Sequence, residues 1–315
     1  MESVGFVGFG EAARCFAAAF SEGLSGGTRV FCDGPRHSPP YDEAFLREIS
    51  EAGATAVASL AELVRSCDVI FSAVTVDQAA LVGTAIIENA DSQRLVVDVN
   101  AATPSVKRRL AALADNAGVR YVDASIMGAV SIYGHGVQLI CSGEGARDLD
   151  DALRPFGFDV QVLEGPAGAG AGVKMLRSVV TKGMEALLVE ALTAARALGI
   201  VESAFAGICG PMDATTYSDF AVMCIKTDVL HAGRRAIEMQ EISTELEQIG
   251  LDPIMTNATT KRLTASARLG LRDQFAARPS YAYQDVLEAY YDVSGMAAAT
   301  ADGAVSGSLE ILEER

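Results

Sequence analysis

The sequence has no apolar run approaching the ~20 residues that a membrane-spanning helix needs, so no span of that kind is expected. Lysine-rich runs are also missing, and the net charge is -16, which argues against nucleic acid and anionic membrane as partners. No C-x-x-C pair occurs among the cysteines at 15, 32, 67, 141, 209 and 224. The three histidines, His37, His135 and His231, are far apart in sequence, so no metal site is expected. Scattered cysteines fit a reducing cytoplasm. The opening MESVGFVGFG has no basic region before an apolar core, so it is expected to fold rather than act as a signal peptide. Internal repeats and low-complexity tracts are absent as well.

What is present is a chain of 315 residues, half of them apolar, enough for a sizeable core and two domains. Ser3 to Gly8 reads as a short buried strand, followed by Gly8-Phe9-Gly10-Glu11-Ala12-Ala13 and an alanine-rich helix to Ser21. In a G-x-G-x-x-A turn the first glycine makes the bend and the second lets backbone approach a pyrophosphate. The small third residue lets helix and strand pack closely. The next strand, Thr28 to Cys32, ends at Asp33, where a carboxylate suits the adenosine ribose hydroxyls of NAD. Arg36 and His37 follow and could instead receive the 2′-phosphate of NADP, and Asp33 could equally be a turn residue before Gly34-Pro35. NAD or NADP both stay open, with Asp33 favouring NAD.

Strand and helix signals then alternate. Helices are expected over 42–52, 59–66, 78–89, 105–116 and 146–156, with Ser59 and Glu62 spaced as a capping box. Strands are expected over 68–74, 94–99, 118–122, 137–141 and 160–163. Val74 ends one of these strands, and Thr75, Asn100, and Met127 and Gly128 follow the ends of three of them, where ligands gather in open parallel sheets. The pattern predicts an α/β Rossmann-type, doubly wound parallel sheet over residues 1–164. Strand signals stop after 164, and residues 165–315 read as an all-α domain with helices over 172–198, 202–209, 212–231, 233–249, 255–270, 280–291 and 293–301. Apolar residues on several faces of this half suggest burial against a second copy, a homodimer.

The stretch Gly165 to Gly199 joins the two halves. Its opening glycines are too permissive to start a helix, so the pattern is read as helical from Val173 and as buried along most of its length. Lys174, Ser178, Thr181 and Glu185 recur on one face. A lysine at the head of a buried helix is a candidate proton donor, because burial lowers its pKa toward neutrality. The same spacing also describes a solvated stripe.

With these residues in view, the chain resembles the beta-hydroxyacid dehydrogenase family, which includes 3-hydroxyisobutyrate and 6-phosphogluconate dehydrogenases. Gly5 to Gly10 resembles its cofactor turn, and Asp98-Val99-Asn100-Ala101-Ala102-Thr103-Pro104 its D-x-S-T-x-x-P segment. Asp123 to Ala129 resembles D-A-P-V-S-G-G, and Gly168-Ala169-Gly170-Ala171-Gly172-Val173-Lys174 resembles G-x-G-x-x-x-K. The resemblance implies a catalytic role for Lys174. Met127 stands where the family has serine and Ser178 where it has asparagine, and the later lysine-aspartate pair is not evident. In that region stand His231, Arg234 and Arg235, which with Lys174 to Arg177 resemble a 6-phosphogluconate dehydrogenase-like subgroup.

The expected activity is hydride transfer between a nicotinamide and a small, anionic hydroxy acid or its carbonyl counterpart. Lys174 serves as acid/base, Ser178 positions the hydroxyl, and Asn100 bonds the carboxamide or the substrate. The Gly128 backbone and Arg234 or Arg235 bind substrate, with His231 as an orienting group; a solvated helix face explains the arginines equally well, and a helix-end position explains His231 better. Imine reduction and a regulatory module that binds NAD(P) without turnover are the alternatives.

Overall fold

The computed structural model describes residues 1–21 and 23–294. Two compact units are present, Met1–Val180 and the residues from Thr181 on, and the division falls within a helix. The expected boundary at 164/165 marks where the strands end.

The first unit is built on an eight-stranded sheet of β1 (Ser3–Val7), β2 (Gly27–Phe31), β3 (Ala54–Ala56), β4 (Val69–Ser72), β5 (Leu95–Asp98), β6 (Arg120–Ile126), β7 (Leu139–Ser142) and β8 (Val160–Val162). Their spatial order is β3-β2-β1-β4-β5-β6-β7-β8. The helices between them are α1 (Glu11–Ala19), α2 (Glu43–Glu51), α3 (Leu60–Ser66), α4 (Ala79–Asn89), α5 (Pro104–Ala117), α6 (Val130–Tyr133) and α7 (Ala146–Leu153). After β8 the chain enters α8 (Ala169–Leu198). The architecture is therefore the Rossmann-type doubly wound sheet followed by a helical region.

Both sheet faces are covered, which is why the strands read as continuous apolar runs. Val4, Phe6, Val30 and Phe71 point into one core with Phe16 and Phe20 of α1, while Val7, Ile70 and Val96 point into the other with Leu63, Ile86 and Leu110. The Phe6 and Phe71 rings stack at 5.1 Å, and Phe20 stacks on Phe158 at 5.2 Å. Each such buried ring contributes roughly 1.5–3 kcal/mol by leaving water. Local signals set the helix starts. Asp42 accepts from the Phe45 amide at 2.8 Å and Ser59 from the Glu62 amide at 3.2 Å. The Glu62 carboxylate reaches back to the Ala58 amide rather than to Ser59 itself.

The sheet departs from the all-parallel expectation at one place. β6 and β7 pair antiparallel, while the other neighbouring strands pair parallel. Their connection carries only the one-turn α6 and a following 3₁₀ turn, too little helix for a parallel crossover. β6 also runs on to Ile126, so Asp123 lies inside a strand rather than beyond its end. β3, not foreseen in the sequence, extends the sheet beside β2.

The second unit continues with α9 (Val201–Asp213), α10 (Tyr217–Gln248), α11 (Ile254–Arg268), α12 (Arg272–Ala276) and α13 (Tyr283–Val293). Val229, Leu271, Phe275 and Val286 form its core. The two helices expected over 212–231 and 233–249 are one continuous α10, because Gly233 stays helical beside Ala267 of α11. The helix expected over 293–301 lies outside the described residues from 295 on. None of the described helices is long and apolar enough to cross a membrane, and no group of three or more acidic, histidine or cysteine side chains among the described residues could hold a metal.

Helix α8 departs from expectation in two ways. It begins at Ala169, so Gly170 and Gly172 are inside it. It is also not buried along most of its length: Leu176, Val179 and Val189 are each more than 60 % exposed, at 62 %, 67 % and 63 %.

Candidate active site

The strand order reverses between β1 and β4, and ligands in open sheets bind outside the carboxyl ends of strands at such a switch point. There the chain forms a cavity of about 830 Å³, within the size range of small-molecule and cofactor sites. Gly8, Phe9, Gly10, Glu11 and Ala12 line it after β1, Asp33 and Arg36 after β2, Val74 and Thr75 after β4, Asn100 after β5, and Lys174 from α8.

The glycine turn has the properties that its spacing implies. Gly8 sits at φ +90°, and a Cβ there would run into the Ala73 carbonyl, so only glycine closes this turn against the end of β4. Gly10 is the opposite case: nothing lies within 4 Å of where its Cβ would stand. It caps α1 with no side-chain bond, leaving the amides of the first helical turn facing an open space. Ala13 is buried, which lets α1 lie close on the sheet. A cradle of free amides at a helix start suits a phosphate, and Gly10 leaves room for one.

The rim after β2 is fixed by Tyr41, whose hydroxyl accepts from the Cys32 amide and donates to its carbonyl, both at 3.0 Å. This holds the backbone just before Asp33, which is exposed. Burial pushes the Cys32 thiol up to about 11, against backbone hydrogen bonds from Gly8 and Phe9, so it stays a neutral wall group.

Asn100 is buried and ties two strand ends together. Its carbonyl accepts from the Val74 amide at 2.6 Å and its amide donates to Ser72 at 2.9 Å. One amide hydrogen remains for a ligand.

Beneath Lys174 is a buried polar network. Lys107 of α5 is fully buried, with its ammonium 2.9 Å from the Asp98 carboxylate, 2.7 Å from the Asp98 carbonyl and 3.4 Å from Asp123 Oδ1. The last distance is an ion pair rather than a hydrogen bond, leaving Oδ1 without a hydrogen-bond partner. Tyr121 donates to the other Asp98 oxygen at 2.8 Å. Asp123 Oδ2 accepts from the amides of Gly168 at 3.0 Å and Ala171 at 2.9 Å, and from Ser142 at 3.3 Å. The Ser142 hydroxyl in turn accepts from the Gly170 amide at 3.1 Å. A buried carboxylate thus caps the start of α8, which is why the glycines there are helical. Gly170 is required by this fit, since a Cβ would lie 2.6 Å from the Ile140 carbonyl oxygen.

Lys174 follows Ala171 by three residues and is half-buried. Burial holds its pKa below the ordinary lysine range; the Lys107 cation adds to that, Asp123 opposes it and Arg177 lowers it further. Arg177 is anchored to the Met127 carbonyl at 2.6 Å.

Ser178, Met127 and Gly128 are not among the residues that line this cavity. Ser178 is half-buried one helical turn beyond Lys174, and Met127 and Gly128 follow β6. A Cβ on Gly128 would meet Val137 at 3.0 Å and Tyr133 at 3.2 Å, so packing explains that glycine. His231, Arg234 and Arg235 are carried by α10 in the second unit. Arg234 pairs with Glu238 one turn on, and Arg235 donates to Thr227 at 3.1 Å. Lys107, Tyr121 and Ser142 escape a sequence reading, since a lysine in the first turns of a helix looks solvated. The available signal was Asp98 within, and Asp123 directly after, strands that read as apolar runs.

Residues 40–156 match the family described as the NAD binding domain of 6-phosphogluconate dehydrogenase, and residues 195–266 match a domain family of unknown function. An uncharacterised 28.5 kDa protein of Methanothermus fervidus is 27% identical over 263 residues, 81% of this chain and 95% of its own. A solved protein described as similar to 3-hydroxyacid dehydrogenases is 29% identical, with TM-score 0.57 and coverage of 86% of this chain and 98% of its own. A variant imine reductase from Myxococcus stipitatus, described in complex with NAD+, shares the fold at 17% identity, with TM-score 0.69 and coverage of 88% and 99%. The glycine turn, the open space at Gly10 and the Asp33 rim fit a nicotinamide dinucleotide, and the cofactor is NAD or NADP. Over residues 40–156 the chain carries a nucleotide-binding domain of the 6-phosphogluconate dehydrogenase kind, and as a whole it is similar to the beta-hydroxyacid dehydrogenase family.

Proposed function

We propose that this protein is an NAD(P)-dependent oxidoreductase that transfers hydride between the nicotinamide and a small, anionic hydroxy acid or its carbonyl counterpart, with Lys174 as general acid/base. The observation that most supports the reading is Lys174 on the wall of the same cavity as the Gly8–Gly10 turn, with burial lowering its pKa. A bound nicotinamide accepts or supplies the hydride. In oxidation the neutral Lys174 amine takes the hydroxyl proton as the C–H bond breaks and the carbonyl forms. In reduction its ammonium returns that proton to the carbonyl oxygen. Ser178 orients the hydroxyl, and the remaining Asn100 amide hydrogen bonds the carboxamide or the substrate. The Gly128 backbone serves the substrate where Met127 offers no polar side chain. Recognition of the substrate anion by Arg234 or Arg235, with His231 as an orienting group, is proposed on charge alone.

The assembly proposed is a homodimer. In the second unit Val189, Phe205 and Ile237 are exposed in the single chain at 63 %, 54 % and 63 %, an apolar surface of the kind that a second copy covers. All six thiols are free, which suits the reducing cytoplasm proposed as its location.

The test is a panel of hydroxy acids, carbonyl compounds and cyclic imines, followed by nicotinamide absorbance with NAD and NADP. Oxidation of at least one hydroxy acid is expected. Activity on imines alone would replace the reading with imine reduction, and tight cofactor binding with no turnover would favour a regulatory module.

A further inference from the structure

We propose that Lys107 is a positioning residue for the reaction: its buried ammonium holds Asp98 and Asp123 together, and Asp123 fixes the first turn of α8, the turn that presents Lys174. This rests on the reading of Lys174 as the acid/base and adds a residue that has no sequence signature.

Three observations carry it. The Lys107 ammonium is fully buried and lies within 3.4 Å of two carboxylates on adjacent strands, β5 and β6. A surface lysine would have served solubility, whereas a buried one incurs a large desolvation cost unless it is paired. Second, one of those carboxylates caps α8 through the Gly168 and Ala171 amides, so the chain from Lys107 to the helix start consists of two contacts. Third, the charged groups acting on Lys174 are Lys107 from α5, Asp123 from β6 and Arg177 from α8 itself. Lys107 repels the Lys174 ammonium more strongly than Asp123 attracts it. The pair therefore both fixes the helix start and favours the neutral amine.

These roles have opposite signs at the two residues. Lys107→Met removes a repelling cation and should raise the pH at which Lys174 titrates. Asp123→Asn keeps an oxygen for the helix amides but removes an attracting charge, so it should lower that midpoint. A residue that only supported the fold would reduce activity in both variants without moving the midpoint in opposite directions.

The experiment is competitive labelling of the full chain with acetic anhydride across a pH series, read at Lys174 by mass spectrometry without cofactor. The pH profile of turnover is followed in parallel. Opposed shifts support the proposal; midpoints that stay put, or move the same way in both variants, overturn it. If Lys107→Met does not fold, Asp123→Asn decides, and an unchanged or raised midpoint is the overturning result. Full turnover in Lys174→Met would sink the acid/base reading, while the labelling midpoints still report on Lys107.

Discussion

Gly8 and Ala73 meet backbone to backbone: at φ +90° Gly8 turns its Cβ position into the Ala73 carbonyl oxygen. The first glycine of the turn is thus held by packing between β1 and β4, while the second, Gly10, faces open space.

The two glycines should therefore fail differently. Gly8→Ala should cost about 2–4 kcal/mol of unfolding free energy from strain and overlap. Gly10→Ala has an allowed backbone at φ -84° and should fold within about 0.5 kcal/mol of the parent. It should nevertheless lose at least about tenfold in dinucleotide affinity, because the methyl occupies the phosphate space. Urea unfolding by circular dichroism and fluorescence titration with the reduced cofactor separate the two effects.

On the proposed reading, Asp33 at the cavity rim sets the choice between NAD and NADP. Asp33→Ala should weaken NAD and strengthen NADP, moving the ratio of their kcat/KM values by about tenfold or more toward NADP. The exposed Arg36 on the same rim is then left to receive the 2′-phosphate. An unchanged ratio would remove Asp33 from the ribose site.

Light scattering at micromolar concentration should give twice the chain mass. Val189→Glu should lower that mass to one chain without unfolding the protein, because the side chain is 63 % exposed in the single chain. A monomeric parent would count against the dimer.

The lowered Lys174 pKa fixes the sign of the pH dependence. Oxidation needs the neutral amine, so kcat/KM should rise with pH through the Lys174 midpoint and level off above it. Reduction needs the ammonium and should fall over the same window. That window lies below the ordinary lysine range, since burial and the Lys107 cation both disfavour the charged form. Steady-state rates in both directions across pH check the pair of slopes.

The parts of this molecule governed by local rules were legible in the sequence. The Gly8-x-Gly10-x-x-Ala13 turn, the Ser59 cap, the Pro104 helix start and the Gly199 end each depend on a few neighbouring residues. What was not legible depended on distant partners. Gly170 and Gly172 look like helix breakers until Asp123, from a strand elsewhere in the chain, supplies the cap. Lys107 has the spacing of a solvated residue, and only the approach of Asp98 and Asp123 makes it a buried ion. The direction of β7 is likewise silent in its own residues, although the short connection through α6 carried the information. The apolar residues of α8 implied burial, whereas within this chain Leu176, Val179 and Val189 stay exposed.

Turnover of Lys174→Met, compared with the parent on the same substrate and cofactor, tests the acid/base role most directly. The expected result is a kcat lower by roughly 10²–10⁴-fold with dinucleotide affinity held within about twofold. A variant that turns over at nearly the parent rate would show that the proton moves through some other group.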